Sequence, residues 1–240
     1  MRVAVLSDIH GNLPALDAVL EALAPFDEVW VLGDIVGYGP QPNEVVQRLQ
    51  TLPTTAVRGN HDAAAIGALS TEAFNDDART AVEWTAGILD TDVLDWLSGL
   101  PERATSGDFT LVHGSPRDPT WEYVFTPAVA RLNMSAFEGP YCLVGHTHVP
   151  LVFRQDGAAM ETIEPTPDLP FELDERRAIL NPGSVGQPRD GDPRACGMVL
   201  DTTLATATWQ RVAYRVEEVQ ARMRQVGSPV RLIDRLSDGW

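Results

Sequence analysis

All five histidines of the chain, His10, His61, His113, His146 and His148, lie in polar loops directly after short apolar runs of strand character. No other feature constrains the fold as tightly. Arg2 to Leu6 reads as a buried strand that stops at Ser7-Asp8-Ile9-His10-Gly11-Asn12. Glu28 to Leu32 stops at Gly33-Asp34, and Thr54 to Val57 stops at Arg58-Gly59-Asn60-His61-Asp62. Phe109 to Val112 runs into His113-Gly114, and Tyr141 to Val144 into Gly145-His146-Thr147-His148. Between the first three runs, Leu13, Leu16, Val19, Leu20 and Leu23, then Val45, Val46 and Leu49, recur at helical spacing. Pro42 opens the second of these helices. Strand, polar loop and helix in alternation argue for βαβ units and a mainly parallel sheet. In such sheets ligands bind beyond the carboxyl ends of the strands, where loops from separate strands converge.

The middle, about residues 63 to 100, keeps helical spacing (Ala81, Trp84, Ile88, then Val93, Trp96, Leu97) and reads as a helical insertion near the mouth of a site. Beyond His148 the pattern turns β-rich, over Leu151 to Arg154, Ala159 to Ile163, Arg177 to Leu180, Met198 to Asp201 and Thr206 to Tyr214. Gln155-Asp156-Gly157 is a hairpin signal within it. Val216 to Val226 and Val230 to Leu236 read as closing helices. The composition, 44% hydrophobic and 22% charged, supplies a sizeable core. With no repeat and no flexible linker, residues 1–240 are expected to form a single domain.

The net charge of -16 repels polyanions at long range. No basic stripe is present, so long nucleic acid is an unsuitable partner. Small phosphorylated substrates stay compatible, because a metal centre supplies positive charge locally. All 18 basic residues are arginine, which excludes P-loop, Schiff-base and kinase-type lysine chemistry. Cys142 and Cys196 sit in apolar stretches and read as core residues. The N-terminal strand pattern is unlike a signal peptide, and no apolar run approaches the roughly 20 residues of a membrane span. The cytoplasm is the expected location.

Imidazole is the commonest protein ligand for divalent metals. With carboxylate and without thiolate, it suits Mn, Fe, Ni or Zn chemistry. Asp8 and His10 are two apart on an extended segment and can point the same way, and His146 and His148 repeat that spacing. Asp34, at a strand tip, can share its oxygens between two cations and is the natural bridge, while Asn60 offers a neutral carbonyl oxygen. Gly33, Gly59 and Gly145 would let backbone pass close to metals.

The ordered series Asp8-x-His10, Gly33-Asp34-x-x-Gly37, Gly59-Asn60-His61-Asp62, Val112-His113-Gly114 and Gly145-His146-x-His148 resembles the calcineurin-like metallophosphoesterase family. It is similar above all to that family's small bacterial and archaeal phosphodiesterase branch, as is the stretch from Asn181 to Arg189. The resemblance implies an α/β fold, a four-layer αββα sandwich with mixed sheets. It implies two divalent ions per chain, one held by Asp8, His10, Asp34 and His148, the other by Asp34, Asn60, His113 and His146. Mn2+ is the expected ion, with Fe2+, Ni2+ and Zn2+ as alternatives.

Two cations roughly 3.5–4 Å apart can trap a bridging water and lower its pKa, giving a hydroxide for in-line attack at phosphorus. In that scheme His61 protonates the leaving oxygen and Asp62 orients its imidazole. Arg58, Arg117 and Arg189 are candidates for phosphate contact, and Trp121, Tyr123 and Phe125 form either an aromatic wall or an ordinarily packed extended strand. The expected substrate is a small phosphodiester or cyclic nucleotide. A phosphomonoester substrate, or a protein-binding scaffold with this fold, are the alternatives.

Overall fold

The computed structural model describes all 240 residues. Its first half is built from β1 (Arg2–Leu6), α1 (Leu13–Leu23), β2 (Glu28–Val31), α2 (Pro42–Gln50), β3 (Thr54–Ala56), α3 (Asn60–Ala65), α4 (Asp76–Ala86), α5 (Thr91–Ser98), β4 (Arg103–Ser106) and β5 (Phe109–Val112). The second half adds α6 (Pro127–Asn133), β6 (Tyr141–Leu143), β7 (Leu151–Asp156), β8 (Ala159–Ile163), β9 (Phe171–Glu172), β10 (Ala178–Asn181), β11 (Ala195–Asp201), β12 (Thr206–Val212), α7 (Val216–Gln225) and α8 (Val230–Asp238). Helix α1 starts where the sequence supplies a cap: Asn12 accepts a side-chain hydrogen bond from the Ala15 N–H, and a proline occupies the first turn.

The strands form two six-stranded sheets, ordered β3-β2-β1-β11-β12-β9 and β4-β5-β6-β10-β7-β8. The expectation of a mainly parallel sheet is corrected here. Each sheet has a parallel core, β3-β2-β1 in one and β5-β6-β10 in the other, flanked by antiparallel strands. The short turn between β11 and β12 permits only antiparallel pairing, as does the turn between β7 and β8. The parallel strands are the ones whose carboxyl ends carry the histidine loops.

Alternation along each strand sorts side chains to two faces. Ala4 and Leu6 of β1, with Val29 and Val31 of β2, face α1, α2, α7 and α8 in one core. Val3, Val5 and Trp30 face the second sheet, meeting Leu111, Leu143 and Leu180 in a core between the sheets. The far face of the second sheet, with Val112, Cys142 and Ile179, is covered by Ala130, Met134 and Phe137 in and beside α6. Helices, sheet, sheet and helix make the four layers that the resemblance implied. Residues 60–98 are helical, as expected for the insertion. Both cysteines are free and buried.

Helix α1 packs tightly on β11 at Gly197. A Cβ there would sit 2.8 Å from Val19 Cγ1 and 3.1 Å from Leu23 Cδ1, both on α1. Gly197→Val is expected to destabilise the fold by about 1–3 kcal/mol through overpacking, read as a lowered denaturant midpoint at unchanged slope. An unchanged midpoint would mean that α1 can lift off the sheet freely.

Candidate metal centre

The loops after the parallel strands meet at one place. Asp8 N–H donates to Gly33 O (3.1 Å), His10 N–H to Asp34 O (2.9 Å) and Gly145 N–H to His113 O (2.8 Å), which ties neighbouring loops within each sheet, and the His146 N–H reaches across to Asp8 Oδ2 (3.1 Å). Asp8, His10, Asp34, His146 and His148 all hold left-handed backbone, with φ of 53°, 49°, 50°, 64° and 61°. That region costs a non-glycine residue roughly 1–2 kcal/mol, and such strain persists only where surrounding structure imposes it. Two glycines make the crossing possible: a Cβ on Gly59 would run into the Asp34 carboxylate, and one on Gly145 into the Ser7 hydroxyl.

Two groups of side chains converge there, each with ligand atoms within 4.8 Å of one another: Asp8, His10, Asp34 and His148, and then Asp34, His113 and His146. His10 Nε2 lies 3.3 Å from His148 Nε2 and 3.6 Å from Asp34 Oδ2, while His148 Nε2 lies 3.3 Å from Asp8 Oδ1. In the second group His113 Nε2 lies 3.0 Å from Asn60 Oδ1, 3.1 Å from His146 Nδ1 and 3.4 Å from Asp34 Oδ2. All seven residues are buried. Asp34 belongs to both groups.

The donor chemistry fits divalent cations. His10 Nδ1 faces Val36 O (3.2 Å), His148 Nδ1 faces Gln187 O (2.6 Å) and His113 Nδ1 faces Leu32 O (2.8 Å). Each carbonyl accepts the proton on Nδ1 and leaves Nε2 as a lone pair turned inward. The centre is therefore a nest of acceptors aimed at each other, and Asp8 Oδ1 has no hydrogen-bond partner at all. Buried acceptors without donors are costly, and cations at these two points would satisfy them.

The electrostatics point the same way. Burial, opposed by His113, pushes the Asp8 carboxyl up to about 7. Burial would also raise Asp34, yet the charges of His113 and His61 hold it well below the ordinary carboxylate range. Burial pulls the His113 imidazole down, but Asp34 and then Asp8 outweigh it and carry it up to about 9. Burial holds His10, His146 and His148 well below their ordinary value, in the neutral form that binds metals.

The remaining candidates divide. His61 packs against Tyr38, His10 and Phe74, with centroids 4.3, 4.9 and 5.0 Å away, and its Nδ1 has no partner. Burial pulls this imidazole down to about 4. The expected pairing of Asp62 with the His61 ring is absent. Asp62 Oδ1 accepts from the Ile35 and Val36 N–H groups (2.9 and 3.0 Å) and Oδ2 from the Gly59 N–H (2.9 Å). Three backbone donors outcompete one imidazole, so Asp62 braces the Asp34 loop. Arg58 faces Glu102 at 3.6 Å, with its Nε unpartnered, and Arg117 faces Glu122 at 3.8 Å. Arg189 does lie beside the centre, with its guanidinium 5.8 Å from the Tyr38 ring centre. Residues 121–125 form no strand. Tyr123 stacks on His146 (3.8 Å between centroids) and Trp121 packs against Phe74 (5.2 Å), while Phe125 is exposed.

Several supporting residues escaped the sequence reading. Tyr38, also left-handed at φ 55°, packs on His10 (4.6 Å between centroids). Ser184 donates to Asp8 O (2.9 Å), and Asn181 donates to Gly145 O (2.8 Å) and Thr147 Oγ1 (3.0 Å). The stretch from Asn181 to Arg189 therefore props both the first and the last ligand loops from behind. Its Asn-Pro-Gly-Ser composition was the available signal, but nothing in it names the loops it supports.

Comparison with known proteins agrees with this geometry. A family model, the calcineurin-like phosphoesterase superfamily domain, matches residues 1–204. An uncharacterized protein of Methanocaldococcus jannaschii, MJ0912, is 34% identical over 98% of this chain and 96% of its own length. The phosphodiesterase YfcE of Escherichia coli is 29% identical over 85% of this chain and 90% of its own length. A crystal structure of a metallophosphoesterase from Sphaerobacter thermophilus superposes with a TM-score of 0.92 at 46% identity, covering 100% of this chain and 99% of that one.

The bracing role of Asp62 is open to a direct check. In Asp62→Asn an amide N–H must face at least one backbone N–H, and leaving such a donor unsatisfied costs about 1–3 kcal/mol. Thermal unfolding at fixed metal loading is expected to show the loss, and an unchanged midpoint would remove Asp62 from the support of the loop.

Proposed function

Because the chain belongs to the calcineurin-like phosphoesterase superfamily, a family of phosphoester hydrolases, we propose that this centre holds two divalent cations and hydrolyses a small phosphodiester. The observation that carries the reading is the sharing of Asp34 between two ligand groups that are otherwise separate. Asp8, His10 and His148 would hold one ion with Asp34, and Asn60, His113 and His146 the other. Bound there, the pair would supply Lewis acidity, activating a water and neutralising phosphoryl oxygens as charge builds. Mn2+ is the ion we favour, since the set combines imidazole and carboxylate without thiolate.

The chain's own residues do the rest. Val36, Leu32 and Gln187 carbonyls fix the tautomers of His10, His113 and His148, so the ligand nitrogens need no reorganisation. Tyr38, Phe74 and the ring of Tyr123 close around the centre and exclude bulk water. His61 is the general acid in this reading. An anionic phosphoester beside its ring favours the protonated imidazole that burial alone disfavours, and the proton passes to the leaving oxygen. A diester carries one negative charge at phosphorus, which suits a centre whose two ligand groups share a single carboxylate, Asp34. The relative YfcE is itself named a phosphodiesterase.

Stripped protein reloaded with Mn2+ is expected to cleave bis(p-nitrophenyl) phosphate with kcat/KM at least about tenfold above that for p-nitrophenyl phosphate. The reverse preference would make it a monoesterase. His61→Ala is expected to lower kcat by about 10²–10⁴-fold while metal content is kept. Asp34→Ala is expected to lose metal and turnover together. Full activity with both ions bound in that variant would end the bridging role.

A further inference from the structure

Beside the metal centre lies a second cavity of about 240 Å³ walled by Tyr38, Arg189, Arg231 and Arg235 together with Asn75 and Asp77. Most arginines here are paired with carboxylates, as Arg154 is with Glu161 (2.8 Å) and Arg194 with Asp192 (2.6 Å). Arg189, Arg231 and Arg235 make no ion pair with any side-chain carboxylate, Asp77 included. Arg189 and Arg235 both donate to Gln187 Oε1 (2.8 and 3.2 Å), Arg189 also reaches Tyr38 Oη (3.5 Å), and Arg235 donates to the Trp240 carbonyl.

Three guanidinium groups line this cavity against a single carboxylate, Asp77, so positive charge is in excess there. Burial first, and then the charge of Arg189, pull the Arg235 guanidinium down to about 10. In a chain of net charge -16, which holds anions off at long range, such a cluster is conspicuous. Guanidinium forks suit phosphate oxygens, which accept two parallel hydrogen bonds from each. The cavity shares a wall with the metal ligands: the Tyr38 ring packs 4.6 Å from His10 on one side, and its hydroxyl meets Arg189 on the other.

We propose that this arginine pocket binds a second phosphate group carried by the same small substrate whose ester meets the metal centre. The substrate class is then a bisphosphorylated compound, one phosphate esterified and the other free. The inference rests on the phosphoester reading above for the first phosphate, but its test does not depend on turnover.

Calorimetric titration of the Mn2+-loaded chain with thymidine 3′,5′-bisphosphate and with thymidine 5′-monophosphate isolates the second phosphate. The bisphosphate is expected to bind at least about fivefold tighter. The double variant Arg231→Gln with Arg235→Gln is expected to erase that advantage, and Arg231→Gln alone, at an exposed position, to reduce it if the double variant fails to fold. An advantage below about fivefold, or one that survives in the folded variants, overturns the pocket. Failure to cleave bis(p-nitrophenyl) phosphate would instead count against the phosphoester reading and leave the titration to decide the pocket by itself.

Discussion

The Asp34 carboxylate is the point on which the structure turns. Its Oδ1 accepts the His61 N–H at 2.9 Å, while Oδ2 faces His10 and His113 at 3.6 and 3.4 Å. Its own carbonyl receives the His10 N–H. One residue thus fixes the start of α3, the first ligand loop and the contact between the two sheets. A charge this deep in the protein is costly unless it is compensated. Here the compensation is a ring of imidazoles, which bound metal ions would complete. Folding and metal chemistry are coupled through that single group.

Support for such a group must come from outside the ligand set. The left-handed loops after β1, β2 and β6 have no low-energy reason to adopt their shapes alone. Asp62 gathers three N–H groups around the loop after β2, and Ser184 and Asn181 tie down the loops after β1 and β6. The Trp209 indole N–H donates to Asn181 O at 2.8 Å, which anchors this support in the core between the sheets. Strain at the centre is balanced by hydrogen bonds that reach back into well-packed apolar layers.

Much of this was legible in the residues. Strands β1, β2, β3, β5 and β6 stood out because apolar runs ended at abrupt polar loops, and α1 and α2 because their apolar positions kept helical spacing. The convergence of the histidine loops followed from their shared position after parallel strands. Less was legible where the cause lies in tertiary contacts. Strand β4 (Arg103–Ser106) has half-exposed, polar residues and forms only because β5 offers it an edge. Helix α6 hid behind Pro127 in a proline-rich loop, although Thr126 caps it. The partner of Asp62 was misread because sequence proximity favoured His61, whereas folding brought three backbone donors closer. The unpaired state of Arg189, Arg231 and Arg235 could not be read at all, since ion pairing depends on which carboxylates arrive nearby.

Gln187 links regions that would otherwise be independent. Its carbonyl sets the tautomer of His148, and its side-chain oxygen receives both Arg189 and Arg235. Its N–H is held by Ser184 at 2.8 Å, so the residue has little freedom to move. Anything that draws the two guanidinium groups away from that oxygen alters the pull on the peptide that orients an imidazole in the metal cluster. By thermodynamic reciprocity the effect runs in both directions. One nearly inaccessible amide therefore serves as a mechanical coupling between a cationic recess and the cluster beside it.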